Sequence, residues 1–403
     1  MIPYGRQAID DDDINEVIKV LGSDFITTGP KVQEFEECLA NYFGSSYAVV
    51  FNSGTSALHG AYYALGINKG DEFITTPNTF VATSNAGLFL GATPIFVDIE
   101  SDTGNIDISK IDACITKKTR LIVPVHYSGY PVKMVELKQL ADKYGLYIVE
   151  DACHALGAKY KYESTRKEGD YQKNIKRIVM IGSCMHSEMT VFSFHPVKHI
   201  TTGEGGAVLT NDKRFYERLL MFRNHGVIRD DFSLSKHDLQ AVGDWYYEMH
   251  CLGYNYRLTD IQAALGISQL KKLEGFVEKR REIADMYRKA FFDNPYFDTP
   301  VEKDYALSSY HLYPIRLKDG YKEKKREIFS MMRENGLGVQ VHYIPVYTHP
   351  YYRGLGFSAL TLPVAEDFYK REISLPIYPL LKYDDVQMVI DVVLKIFSSI
   401  KLH

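Results

Sequence analysis

One lysine, Lys198, stands in the stretch VFSFHPVKHITTGEGGAVLTN that runs from Val191 to Asn211. An alternating apolar segment at residues 191–194 reads as a short buried strand, and Pro196 breaks it. Gly203-Glu204-Gly205-Gly206 then leads into a second apolar strand at residues 207–209. A long amine held in a glycine-rich loop between two buried strands is positioned rather than merely solvated, and it can condense with an aldehyde. Lysines are ordinarily surface residues, so this reading needs a second signal. Val149-Glu150-Asp151-Ala152-Cys153-His154 supplies one, because an acid closes the apolar strand at 146–149. That places it at the carboxyl edge, where α/β sheets bind their ligands. A buried carboxylate there would keep a ring nitrogen protonated, which makes the ring an electron sink.

The elements that must hold these groups alternate along the chain. After an extended arm at 2–7, acids at 10–13 precede an amphipathic helix at 14–21, and Pro30 opens a helix to about Tyr42. A strand at 47–51, the turn Asn52-Ser53-Gly54-Thr55-Ser56 and a helix at 57–65 follow. Small residues ahead of a helix suit an anion, although an ordinary helix cap uses the same residues. Strands at 72–75, 94–98, 121–126 and 146–149 are separated by helices at 81–90, 108–115 and 132–144. Such alternation implies a mostly parallel sheet covered on both faces. Phe80, just before the first of these helices, reads by pattern as core.

Within the stretch 160–188, residues 161–177 are rich in charge and read as a surface insertion or a longer hairpin, and 230–243 as a polar loop. Asn255 reads as a turn residue ahead of a periodic helix at 261–273, with helix continuing through Ala290. A strand at 311–317, a helix at 322–334, a strand at 338–342 and a helix at 384–398 make the rest an α+β unit.

Composition sets limits. The 403 residues suffice for two domains, and a net charge of -4 gives no basic field for nucleic acid or an anionic membrane. The five cysteines form no CxxC pair, and Cys184-Met185-His186 lacks partners at zinc spacing, so no metal site is expected. No apolar run reaches the length of a membrane span and no signal peptide is evident, so a cytoplasmic protein is expected. No GxGxxG follows the first strand, which removes a dinucleotide reading.

Asp151, His154, Ser193 and Lys198 together resemble the nucleotide-sugar aminotransferase family, a branch of the fold-type I pyridoxal phosphate enzymes. The resemblance runs from Ile2 almost to the carboxyl terminus, through IPYGRQAIDDDDINEVIKVL, SDFITTGPKVQEFE and SFHPVKHITTGEGG. It implies an α/β fold with a large cofactor domain at 1–258, including the amino-terminal arm, and a smaller α+β domain at 259–403. Its cofactor would be pyridoxal 5'-phosphate, bound as an imine to Lys198, with Asp151 on the ring nitrogen and His154 on the phenolic oxygen. Gly54, Thr55, Ser56 and Ser193 would hold the phosphate, and Phe80 would stack on the ring. Asn255 would reach across a homodimer interface to the other subunit's phosphate, so active sites would be shared. Tyr4 and Thr28 would close the sugar site. His311, Tyr313 and His342 either line a cleft between domains or are packed residues.

The reaction implied moves an amino group from L-glutamate to C4 of a UDP-4-keto-6-deoxy-N-acetylhexosamine, on the way to pseudaminic acid. Other 4-keto nucleotide sugars (the bacillosamine, legionaminic, perosamine or aminoarabinose types) remain alternatives. A pyridoxamine-dependent dehydratase would carry histidine in place of the lysine. His199 is adjacent, but the family's amine falls five residues after Ser193, at Lys198. A non-catalytic sensor would have had no use for the intact set.

Overall fold

The computed structural model describes residues 1–168, 171–228, 243 and 245–401. Its amino-terminal arm pairs Ile2–Pro3 (β1) in parallel with Leu337–Gly338, tying the first residues to the last third of the chain. Helix α1, Asp11–Leu21, starts in a capping box between Asp10 and Asp13, with acids filling its first turn. Helix α2, Pro30–Phe43, opens on proline, whose missing N–H costs nothing there.

The alternating run that follows builds one sheet. It comprises β2 (Tyr47–Phe51), β3 (Glu72–Thr75), β4 (Thr93–Phe96), β5 (Thr119–Val123) and β6 (Tyr147–Asp151). The hairpin β7 (Lys159–Glu168) and β8 (Tyr171–Met180) interrupts it before β9 (Met189–Ser193) and β10 (Gly206–Thr210). The order is β2-β10-β9-β6-β5-β3-β4. β10 runs antiparallel to both neighbours and every other pairing is parallel. Every residue of β9 and β10 is buried, which explains the apolar runs Val191-Phe192 and Ala207-Val208-Leu209 within them.

Helices α3 (Gly54–Leu65), α4 (Ala82–Phe89) and α6 (Lys213–Arg223) accompany the sheet, as does α5 (Met134–Tyr144). Residues of α3 and α6 form one core with Phe73, Val149, Val191 and Val208. Residues of α2 and α5 form another with Ile74, Ile122, Ile148 and Phe192. Helix α7 is a single helix, Asp260–Ala290. Its first half adds Ala263, Ile267 and Leu270 to the second of these cores. Its second half adds Ile283, Ala284 and Tyr287 to a third. That third core is built on the antiparallel strands Phe297–Asp298, Tyr313–Leu317 and Glu372–Leu375, with α8 (Lys325–Glu334) and the helix Tyr383–Ser399.

Two expected elements come out differently. The helix expected at 108–115 is two 3-10 turns, Ile108–Lys110 and Asp112–Cys114, too short to propagate as α-helix. The strand expected at 338–342 shrinks to Leu337–Gly338 plus a bridge at Gln340, because the Glu372 carboxylate takes the His342 N–H at 2.7 Å. The charged insertion is an antiparallel hairpin that pairs at its base with Ala306–Leu307. Of the polar loop expected at 230–243, all but Gly243 lies outside the described residues. No described helix is long and apolar enough to cross a membrane.

Candidate active site

At the end of β9 the chain leaves the sheet, loops through Lys198 and returns along β10. The loop is tied to itself by its threonines. Thr201 Oγ1 donates to the Phe194 carbonyl at 3.0 Å and accepts from Gly203 N–H at 2.9 Å. Thr202 Oγ1 donates to the Glu204 carbonyl at 2.7 Å. Gly203 has φ +79, a left-handed turn that glycine adopts without strain. At Gly206 a Cβ would lie 2.6 Å from the Ser53 carbonyl, so the loop's return strand packs directly on the start of α3.

Beside β9 lies β6, with Asp151 opposite Val191. Lys198, Asp151, His154 and Ser193 therefore meet at the carboxyl edge of the parallel strands, around one cavity of about 480 Å³. Gly54, Thr55, Phe80, Tyr4 and His342 line the same cavity. Phe80 is 59% exposed rather than core, so its ring is free to cover a ligand. Helix α3 begins at Gly54, three residues earlier than the pattern suggests, in a capping box between Ser53 and Ser56. That box uses the Ser56 hydroxyl, which also donates to Asn52 Oδ1 at 2.7 Å, and Ser56 does not line the cavity. Gly54 meets Ser193 closely, since a Cβ there would stand 2.9 Å from the Ser193 Cβ.

Other expected residues stand elsewhere. Tyr313 is 1% exposed and packs in the third core against Tyr287, because its strand turns that face inward. His311 is buried behind His154, ring centroids 4.4 Å apart, and does not line the cavity. Thr28 (φ +56) and Asn255 are exposed and lie outside the cavity of their own chain. Asn255 sits beside α3's cap, its carbonyl accepting from Asn52 Nδ2 at 3.4 Å. His199 turns away from the cavity, and its Nε2 is 3.1 Å from the Ser309 carbonyl.

The cavity also uses residues that the pattern did not single out. Thr83 Oγ1 donates to Asp151 Oδ2 at 2.6 Å and is itself 2.8 Å from Thr79 Oγ1. The N–H of Cys153 donates to Asp151 Oδ1 at 3.2 Å, so each carboxylate oxygen has a protein partner. Tyr343 OH and His154 Nε2 are hydrogen-bonded at 2.9 Å. The i, i+4 spacing of Thr79 and Thr83 at the start of α4 was a visible signal. Tyr343 had none, being 189 residues from its partner.

Burial lowers the basicity of the nitrogens at this edge. Desolvation pulls the Lys198 amine below its ordinary value, and the nearby Cys153 and Asp151 oppose that shift. Burial holds His154 well below the usual imidazole range, with the charge on Lys198 adding to the effect. The cavity thus combines an amine of reduced basicity, a braced carboxylate and a helix amino terminus.

That combination fits pyridoxal phosphate. His154 Nδ1 is buried without a partner, Asp151 can accept further, and the N–H groups of Gly54 and Thr55 at the start of α3 are free for an anion. Comparison with known proteins agrees. Residues 7–394 match the model of the DegT/DnrJ/EryC1/StrS aminotransferase family. The UDP-4-amino-4,6-dideoxy-N-acetyl-beta-L-altrosamine transaminase of Campylobacter jejuni is 41% identical over 404 residues, covering 100% of this chain and 99% of its own. The spore coat polysaccharide biosynthesis protein SpsC of Bacillus subtilis is 38% identical over 395 residues, covering 97% of this chain and 96% of its own. Among solved structures, Helicobacter pylori PseC, an aminotransferase involved in the biosynthesis of pseudoaminic acid, superposes with a TM-score of 0.87. It is 38% identical over 99% of this chain and 100% of its own. A putative sugar aminotransferase of Streptococcus pneumoniae in its PMP form superposes at 0.88, with 29% identity over 99% of both chains. On these matches the chain belongs to the DegT/DnrJ/EryC1/StrS aminotransferase family, pyridoxal-phosphate-dependent enzymes of fold type I.

Proposed function

We propose that this chain moves the amino group of L-glutamate to C4 of a UDP-4-keto-6-deoxy-N-acetylhexosamine in the cytoplasm. The product would be UDP-4-amino-4,6-dideoxy-N-acetyl-β-L-altrosamine, for pseudaminic acid synthesis. The full-length match to the Campylobacter transaminase carries this reading. The dehydratase alternative is disfavoured by His199, whose ring faces the Ser309 carbonyl while Lys198 lines the cavity.

When bound, pyridoxal phosphate supplies an aldehyde carbon and an electron-withdrawing ring. The chain's residues do the rest. Lys198 is the anchoring amine and, once displaced by an amino donor, the base that carries a proton from the donor's Cα. Its lowered basicity suits that work near neutral pH. Asp151 holds the ring nitrogen protonated, kept in place by Thr83 and the Cys153 N–H. His154 offers its unpartnered Nδ1 side to the ring's phenolic oxygen. Ser193, Gly54 and Thr55 hold the phosphate, with Ser56 acting through the cap, and Phe80 covers the ring face.

In this reading Tyr4 and His342 contact the sugar, whereas Thr28 and Asn255 serve the site of a second copy in a homodimer. We keep 1–258 and 259–403 as two units, with α7 the helix that joins their cores. The test is an assay of purified protein with pyridoxal phosphate, L-glutamate and a panel of UDP-4-keto sugars, the product configuration being read by NMR. Conversion of a GDP-linked ketone alone would remove the UDP-sugar assignment.

A further inference from the structure

Behind the cavity wall a buried carboxylate is joined to His342 through one hydroxyl. Glu372 and Ser374 lie two apart on the strand Glu372–Leu375, share a face, and are each 0% exposed. Glu372 Oε2 accepts the His342 N–H at 2.7 Å, and Glu372 Oε1 accepts the Ser374 hydroxyl at 2.5 Å. Ser374 Oγ lies 2.8 Å from His342 Nδ1. A serine hydroxyl has one proton to donate; burial raises Glu372 to about 7 against its hydrogen bonds and the Lys325 charge, and above that pH the ionised carboxylate takes the proton. Ser374 can therefore only accept from His342, which puts the imidazole proton on Nδ1 and leaves Nε2 a bare acceptor. Burial, with the charge on Lys198 adding to it, lowers His342 to about 3, so the ring is neutral. The Tyr127 hydroxyl fixes the His342 carbonyl at 2.7 Å, and the Tyr4 ring packs on the imidazole with centroids 5.4 Å apart.

We propose that Glu372 and Ser374 are positioning residues that lock His342 with Nε2 as an acceptor, so that the cavity selects a substrate presenting a hydroxyl or amide N–H there. This deepens the function proposed above and rests on it. Apart from the amine that must meet the cofactor, the donor amino acid brings only carboxylates, which accept and gain nothing from a second acceptor. An N-acetylated 4-keto sugar brings a hydroxyl on the carbon next to its reacting carbon and an amide N–H one carbon further on. The relay therefore serves the sugar half of the reaction and not the glutamate half.

The two halves can be followed separately on the holoenzyme through cofactor absorbance, first with glutamate and then with the UDP-4-keto sugar. Ser374→Ala is expected to raise the sugar KM about tenfold, the scale of one misdirected hydrogen bond, and to leave the glutamate half unchanged. Ser374→Thr, which keeps the hydroxyl, is expected to behave as wild type. With the wild-type enzyme, an analogue lacking either the 3-hydroxyl or the amide N–H should lose a similar factor. Ser374→Ala should then add nothing further for that analogue. Equal losses in both halves, or analogues that both turn over like the parent sugar, would overturn the relay, and the analogue arm decides even if the alanine variant fails to fold. If the wild-type enzyme aminates no UDP-4-keto sugar, the substrate assignment itself falls and the donor assignment falls with it.

Discussion

At the scale of single residues, the chemistry depends on an amine and a carboxylate that each need a particular environment. Lys198 is made less basic by desolvation, and in the proposed reaction its removal would take away both the anchor and the proton carrier. Lys198→Ala should lower turnover by at least the factor of about 10²–10⁴ that a positioned acid–base group contributes. Mass spectrometry after hydride reduction should find the cofactor on the peptide containing Lys198 in the wild type and on no peptide in the variant. An adduct at another lysine would remove Lys198 from the role. Asp151 depends on Thr83, whose hydroxyl reaches it at 2.6 Å. A hydrogen bond to a charged group is worth about 1.5–3 kcal/mol. Thr83→Val, which keeps the shape and drops the donor, should therefore loosen cofactor retention by about tenfold or more. Cofactor release measured by fluorescence checks this, and unchanged release would show that Thr83 merely packs.

At the scale of elements, the site exists because the start of α3 and the end of β9 come into contact. Glycine at 54 is what permits that approach. Gly54→Ala would press a methyl to 2.9 Å from the Ser193 Cβ and should cost about 1–3 kcal/mol, with loss of phosphate affinity. Gly275, on the exposed side of α7, has nothing within 4 Å of the point where a methyl would stand, so the same substitution there should stabilise by about 0.4–1 kcal/mol. Opposite shifts of the denaturation midpoint test the pair, and shifts of the same sign would contradict the close-approach argument. The same contrast marks what was legible in the sequence. Strands such as β9 and β10 are buried on both sides, so their apolar runs announce them, and Asp151, His154, Ser193 and Lys198 sit at ends that those runs define. Residues 338–342 also look like a strand, yet their backbone answers to Glu372, a carboxylate thirty residues later. Tyr313 has a strand's pattern, and nothing local indicates that its face is core rather than cleft. Thr83 and Tyr343 join the site only through contacts that form once the sheet has assembled.

At the scale of the whole molecule, Thr28 and Asn255 are exposed and neither lines the cavity of its own chain. Phe25, Ile26, Phe89 and Tyr254 are exposed as well, apolar side chains that a second copy would cover if the chain pairs. If Asn255 completes the phosphate site of that copy, each cavity draws Lys198 from one chain and Asn255 from the other. Lys198→Ala and Asn255→Ala, each impaired alone, should then complement one another when unfolded and refolded together. Random pairing makes half of the dimers mixed, and each mixed dimer holds one site with both residues intact. Activity should therefore recover to about a quarter of wild type, as expected for a two-fold symmetric pair with shared sites. A mixture that stays at the average of the separate variants would place Asn255 outside the site, and size-exclusion chromatography would show whether the chains pair at all. Recovery to a quarter with no change in the pairing equilibrium would give Asn255 a role in chemistry rather than in assembly.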